Sequence, residues 1–239
     1  MERAPSKDIE HGYKSLKQGS EEWLQARKDF DLTASELGPA LGLGRFHTRL
    51  QLYRAKKKKG SPPKKEGKAT QKAFEYGRVH EADAAQEFQR SCCASSGFVL
   101  TETGIWPLYY DSFSLGVSPD RLVIDPENEG VVVATYEAKC PVSGKLMNPP
   151  HPEYLLQVHA QIQAAGVDEG YLHEWTPERS SYYHVRRDDV LWEGVLEAAS
   201  HFVVQHLRKD VPPPSTDDET DPSSTMKRLL GATVKMISI

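Results

Sequence analysis

The chain of 239 residues predicts a mixed α/β domain whose central sheet is covered by helices on both sides. Two observations carry this. Strand-like segments, β-branched and cut by Gly, Pro, Asp and Asn, fill residues 98–139, while helical apolar spacing recurs before and after them. The resulting order, α, β, β, β, α, β, β, α, has the alternation of a sheet flanked by helices. One core suffices for this length, so a single domain over 19–209 is expected, between a weakly ordered stretch 1–18 and a tail 210–239.

The elements follow in order. S-E-E-W-L-Q-A-R opens a helix with Ser20 as N-cap, acidic residues in the first turn, and Trp23, Leu24 and Arg27 at helical spacing. A second start lies at T-A-S-E, where Thr33 and Glu36 form a capping box; Gly42 and Gly44 end that helix. Between Arg54 and Lys72 stand nine basic residues and one acid, with Gly, Ser and Pro that favour a loop. Lys56, Lys57, Lys58, Lys59, Lys64 and Lys65 are there either as a solvated run or localisation signal, or as nonspecific phosphate contacts. Ala69 to Cys92 reads as a long helix with the stripe Ala73, Tyr76, His80, Ala84 and Phe88, and it carries Glu81 four places after Gly77. Three strands in an antiparallel meander come next, G-F-V-L-T-E-T-G-I-W, S-L-G-V-S-P-D-R-L-V-I-D and V-V-V-A-T-Y-E-A-K. A helix from Pro152 ends at Gly166, two strands follow, and a last helix spans about Asp188 to Leu207. The Pro-, Ser- and Asp-rich tail cannot pack and is expected to be disordered, ending in a short apolar and basic segment that could dock on its own domain, a second subunit or a partner.

Composition narrows the function classes. Thirty Lys and Arg against 34 Asp and Glu give a net charge of −4, so a polyanion would have to be met by a local basic patch. Three cysteines without C-x-x-C spacing signal neither zinc nor a disulfide framework. No apolar run of about 18 residues argues for a membrane span, and an intracellular, reducing compartment is expected, cytoplasm and nucleus being indistinguishable.

The chemistry concentrates between Leu115 and Pro141. With the D-P-E-N-E-G loop as the turn of a hairpin, Asp120 falls opposite Thr135 and Ser118 opposite Glu137, so Ser118, Asp120, Thr135, Glu137 and Lys139 share one face. Asp120 and Glu137 become diagonal neighbours, roughly 7 to 8 Å apart at the backbone. Two carboxylates at the ends of apolar strands repel each other unless a cation joins them. Oxygen donors without His or Cys select Mg²⁺, with Mn²⁺ as the alternative. Lys139 adds a charge able to orient a water or stabilise a phosphate. The bland alternative is a cross-strand ion pair between Glu137 and Lys139, with Asp120 ending a turn. A cysteine hydrolase built on Cys140 with His151 or His159 lacks a nucleophile elbow.

Pro119-Asp120 followed by Glu137-Ala138-Lys139 resembles the signature of the PD-(D/E)xK restriction-like nucleases, and in particular the phage lambda type of exonuclease, the viral recombinase and alkaline nucleases. The resemblance covers about Ser20 to Leu207 and implies a restriction-endonuclease-like core. W-L-Q-A-R is similar to that family's W-x-x-x-R, which implies that Arg27 contacts a terminal 5′-phosphate, with Ser35 of T-A-S-E and Ser118 of S-P-D as further phosphate ligands. Y-G-R-V-H-E resembles the family's helix G-x-x-x-E and implies Glu81 beside the metal held by Asp120 and Glu137; Y-L-L-Q-V implies Gln157 near the scissile phosphate. His80 stands where an aromatic is common and is either a packed residue or an extra metal ligand. The activity implied is metal-dependent degradation of double-stranded DNA from an end, 5′ to 3′, in recombination, repair or viral DNA processing. A homotrimer and a single-strand annealing protein are the partners implied. The rival functions are a structure-specific or restriction-like endonuclease and a non-catalytic DNA-end-binding protein.

Overall fold

A computed structural model describes residues 12–58, 67–214, 230 and 232–237. Residues 1–11, Lys59, Lys64, Lys65 and 215–229 lie outside the described residues, and the expectations made for them are not addressed by it. Helix α1 (Glu21–Ala26) is capped by Ser20, whose hydroxyl accepts the Trp23 N–H. The Thr33–Glu36 capping box forms as expected and leads through a tight turn into α2 (Leu37–Ala40). Helix α3 (Arg49–Lys57) is started by a second capping box, Thr48 with Gln51, and α4 (Lys68–Phe88) runs on into a wider turn, Gln89–Cys93.

Two sheets form. The smaller takes β1 (Leu32–Thr33), β3 (Trp106–Tyr110) and β4 (Phe113–Val117) in the order β1-β4-β3. The larger runs β2-β5-β6-β7-β8-β9, from β2 (Val99–Thr101), β5 (Arg121–Asp125), β6 (Val131–Lys139), β7 (Glu169–Thr176), β8 (Arg179–Arg186) and β9 (Val234–Ile237). Its pairs are antiparallel except β6–β7, which α5 (Pro152–Ala165) joins as a parallel crossover. Gly166, at φ 67°, ends α5. At Gly170 a side chain would collide with Thr135 Oγ1 at 2.6 Å and Val158 Cγ1 at 2.9 Å, so glycine lets α5 lie close on the sheet. On this face α5 and α6 (Asp189–His201) bury Leu156, Val158, Ile162, Trp192 and Val195 against Leu172, Tyr183 and Val185. On the other, α4 buries Ala84 and Phe88 against Val123, Ala134 and Tyr136.

The structure corrects three expectations. The segment 114–125 is not one strand of a meander: it divides into β4 and β5, which belong to different sheets, because Pro119 has no amide hydrogen to carry the ladder onward. Arg54 to Lys57 are helical, not loop, since the Thr48 cap and the buried Leu52 and Tyr53 extend α3 through them. Order begins before residue 19: Tyr13 and Leu16 pack with Phe30 and Ile105, and Gln18 Nε2 donates to the carbonyls of Thr103 and Pro119. Of the three places left open to the C-terminal segment, its described residues take their own domain, with β9 pairing on β8, Leu230 fully buried in the main core, and Thr233 Oγ1 2.8 Å from His159 Nε2.

Candidate active site

Near the site, β5 and β6 pair Arg121 with Tyr136 and Leu122 with Thr135, two places from the expected register, and a bulge between Val123 and Ile124 absorbs part of the difference. A shift of two keeps every side chain on its face. Asp120 lies just past the last pair, where its Oδ2 accepts the Ala138 N–H at 2.8 Å. Alternation along β6 sends Tyr136 and Ala138 toward α4 and turns Glu137 and Lys139 toward α5.

Glu137 is 1 % exposed and fully engaged. Its Oε1 accepts Gln157 Nε2 at 2.6 Å and the Lys139 ammonium, and its Oε2 accepts Gln161 Nε2 at 2.6 Å. Lys139 also donates to Gln157 Oε1 at 3.0 Å and stands 5.1 Å from the centre of the Tyr154 ring. Burial works against its charge, yet Glu137 and Asp120 hold the ammonium above its ordinary range. Asp120 is pushed well above the carboxylate range by burial and then by the negative charges of Glu137 and Glu81. Glu81 is raised by burial too, against the pull of Arg121, whose Nη1 donates to Glu81 Oε1 at 2.8 Å and to the Asp120 carbonyl at 2.5 Å.

Asp120, Glu137, Lys139, Glu81, Gln157 and Ser35 line one cavity of about 600 Å³. Arg27 adjoins it: its Nη2 donates to Ser35 Oγ at 3.2 Å and Thr33 Oγ1 at 3.3 Å, and its guanidinium lies over the Trp23 ring. Ser118 is not on the cavity wall; its hydroxyl is enclosed without a hydrogen-bond partner among the described residues. Of the lysine run, Lys56 pairs with Glu36 at 2.7 Å, Lys57 pairs with Asp210 at 2.8 Å, and Lys58 is exposed. His80 is a packed residue, set between Tyr76 and Trp175 and bonded to Asp83. The cysteine alternative fails. Burial pushes the Cys140 thiol up to about 12, His151 caps α5, and His159 bonds Thr233.

Sequence reasoning missed Gln161, Arg121, Glu153, Glu174 and Tyr154. Gln161 was within reach, lying one helical turn after Gln157 on the same face. The acids and Tyr154 reach the cavity only through the β6–β7 register and the start of α5.

An Asp, a Glu and a Lys at adjacent strand ends of a mixed sheet covered by helices define the restriction-endonuclease-like class of nuclease folds. The family model of the YqaJ-like viral recombinase domain matches residues 22–168, and the chain belongs to that family. The fold is similar to that of an alkaline exonuclease, LHK-Exo, from Laribacter hongkongensis, with 20% identity, a TM-score of 0.58, and coverage of 89% of this chain and 97% of that one. LHK-Exo in complex with dAMP matches over the same shares, at 20% identity and a TM-score of 0.59. A phage related exonuclease from Haemophilus somnus 129PT matches at 14% identity and a TM-score of 0.49, over 75% of this chain and 96% of that one. No curated protein matches the chain significantly.

Proposed function

We propose that the chain is a divalent-metal-dependent exodeoxyribonuclease that degrades double-stranded DNA from an end, 5′ to 3′. The observation that carries this is the placement of Asp120, Glu137 and Lys139 on the wall of one cavity with Gln157 and Glu81. Membership of a viral recombinase family supports it, as do neighbours of the same fold that are exonucleases, one of them holding dAMP.

The donors fit a hard cation. Among the described residues no group of three or more His, Cys, Asp or Glu side chains is gathered as a ligand set. Asp120 and Glu137, which share the cavity wall, would be the protein ligands, with water and phosphate oxygens supplying the rest, as suits Mg²⁺ or Mn²⁺. Burial, and after it the negative charges of Glu137 and Glu81, raise the Asp120 carboxyl, and a bound cation would favour its ionised form. When bound, the cation polarises the phosphate and makes water a better nucleophile.

The chain's own groups do the rest. Lys139 and Gln157, bonded to each other, present a cation and an amide to an attacking water and to charge building on the phosphate. The water oxygen bonds to phosphorus and gives up a proton as the P–O3′ bond breaks; the 3′-oxygen leaves with the terminal nucleotide and takes up a proton in its turn, so that one water is consumed for each nucleotide released. The shortened strand then carries a new 5′-phosphate. Arg27 and Ser35, already bonded together, are the groups we assign to that phosphate; the Ser118 hydroxyl, enclosed and off the cavity wall, is not placed to join them. Lys58 is the exposed lysine of the described run without an ion-pair partner among the described residues, and we assign it backbone contact. On the same reading the enzyme works as a homotrimer beside a single-strand annealing protein in recombination.

The test is digestion of linear duplex labelled at the 5′ or the 3′ end, with Mg²⁺, with Mn²⁺ and with chelator, beside a covalently closed circle. Early metal-dependent release of 5′ label with the circle intact is expected. Cutting of the circle would make the enzyme an endonuclease, and no release from any substrate would leave an end-binding protein.

A further inference from the structure

In the parallel pairing of β6 and β7, Lys139 stands level with Glu174, and neighbouring strands are only about 4.8 Å apart. Glu174 is 1 % exposed and lies on the wall of the same cavity. One of its oxygens, Oε2, accepts the Met147 N–H at 2.6 Å. The other, Oε1, is enclosed and has no hydrogen-bond partner among the described residues. A buried carboxylate oxygen left unmatched costs free energy, because the water it gave up is not replaced by a donor. Such an atom calls for a donor that reaches it in another state of the site.

Two cations lie near enough to act on Glu174, Arg45 and Lys139. Arg45 is occupied elsewhere, with Nη1 donating to the Tyr154 hydroxyl at 2.5 Å and its guanidinium over the Phe46 ring. Lys139 is held by Glu137 Oε1, the oxygen that also receives Gln157. If Glu137 is to serve a divalent cation, the ammonium on Oε1 must give way, because two positive charges cannot share that position at low dielectric. The lysine stem then needs a second anion on its own face of the sheet, and Glu174 Oε1 is that anion.

We propose that Glu174 is the positioning residue of Lys139: its free oxygen receives the ammonium when Glu137 turns to a divalent cation, and so keeps Lys139 directed into the cavity. The inference rests on the metal-dependent reading given above. It assigns Glu174 no contact with substrate, only control of where Lys139 rests.

The experiment uses the full chain with Mg²⁺ and no DNA. Lys139 is probed by reductive methylation, its modification followed by peptide mass spectrometry, and Mg²⁺ binding is measured in parallel by calorimetry. In the wild type, Mg²⁺ should leave the methylation rate of Lys139 nearly unchanged. Glu174→Gln, which keeps an acceptor for the Met147 N–H, should match the wild type in chelator. With Mg²⁺ its Lys139 should be modified about tenfold faster or more, the equivalent of losing one charge-assisted hydrogen bond. Equal protection in both proteins, with Mg²⁺ bound, would overturn the role of Glu174 alone. Absence of Mg²⁺ binding in the wild type would overturn the metal-dependent reading and this inference with it. Should Glu174→Gln not fold, the wild type decides: a slowly exchanging ¹⁵Nζ ammonium resonance of Lys139 should survive Mg²⁺, and its disappearance would refute the transfer.

Discussion

Replacing Lys139 by Met keeps an unbranched chain over the Tyr154 ring and removes only the charge, which makes it a clean perturbation of the site. Three side chains donate to the Glu137 carboxylate, and Lys139 is the one that carries a charge. Removing one partner of a buried ion pair costs about 3–5 kcal/mol, because the other charge is left uncompensated. The amides of Gln157 and Gln161 remain in place, so the lower end applies and a loss of about 3 kcal/mol is expected in chelator. Mg²⁺ should then restore more stability to the variant than it adds to the wild type, because the cation supplies the charge that the ammonium gave, and binding to the native state stabilises by mass action. Urea unfolding with and without Mg²⁺ measures both quantities, and a filter or gel assay measures cleavage and DNA binding. Cleavage should be abolished while binding stays close to wild type. A loss below about 0.5 kcal/mol in chelator, the range of an ordinary surface substitution, would refute the buried-pair account. Wild-type turnover would refute the assignment of the site.

Three further outcomes are expected. Arg27→Ala should remove the preference for 5′-phosphorylated over 5′-hydroxyl ends, a loss of about tenfold or more for a charge-assisted contact; competition between the two ends reads it, and a surviving preference means that another group holds the phosphate. His159 is pulled by burial from 6.5 to about 4, so between those values the unfolded chain binds a proton that the native one refuses, and stability falls as pH falls. His159→Gln should therefore flatten the acid side of the urea-stability profile by about 1.4 kcal/mol per pH unit in that window, and an unchanged slope would contradict the assignment. Leu230→Ala should lower stability by about 2–5 kcal/mol, as for any fully enclosed leucine, whereas a midpoint equal to wild type would mean that the C-terminal segment does not pack in solution.

Much of the site was legible because strand alternation is robust. Glu137 and Lys139 sit on one face whatever the partner strand does, and the observed register differs from the expected one by two, which leaves parity intact. The capping boxes and the end of α5 at Gly166 were legible for a similar reason, since each is a local rule with a local signal. What the sequence hid depends on residues distant along the chain. Lys56 and Lys57 looked free within a basic run, but Glu36 and Asp210 take them. For the short C-terminal segment the sequence left three docking places open, since its composition says nothing of the pairing offered by β8 or the place in the core filled by Leu230. Glu174 faces Lys139 only because α5 carries the chain back to make β7 parallel to β6.

The break at Pro119 explains why these groups can meet at all. Glu137 belongs to the α5 face of the large sheet, bonded to Gln157 and Gln161, whereas Glu81 belongs to α4 on the opposite face. A continuous sheet would keep them apart. Asp120 immediately precedes β5 and Lys139 ends β6, and because these strands are antiparallel both points lie at the same end of the sheet. Beyond that end the two faces are no longer separated. Arg121, whose neighbours in the ladder point it toward α4, holds Glu81 while also gripping the Asp120 carbonyl, so one side chain ties the helix on one face to the strand end that serves the other. The chain leaves the ladder at Pro119 and thereby frees the Asp120 carboxylate to bond the Ala138 N–H. Asp120 can then stand beside Glu137 at the mouth of the cavity, where strands, helices and charge converge.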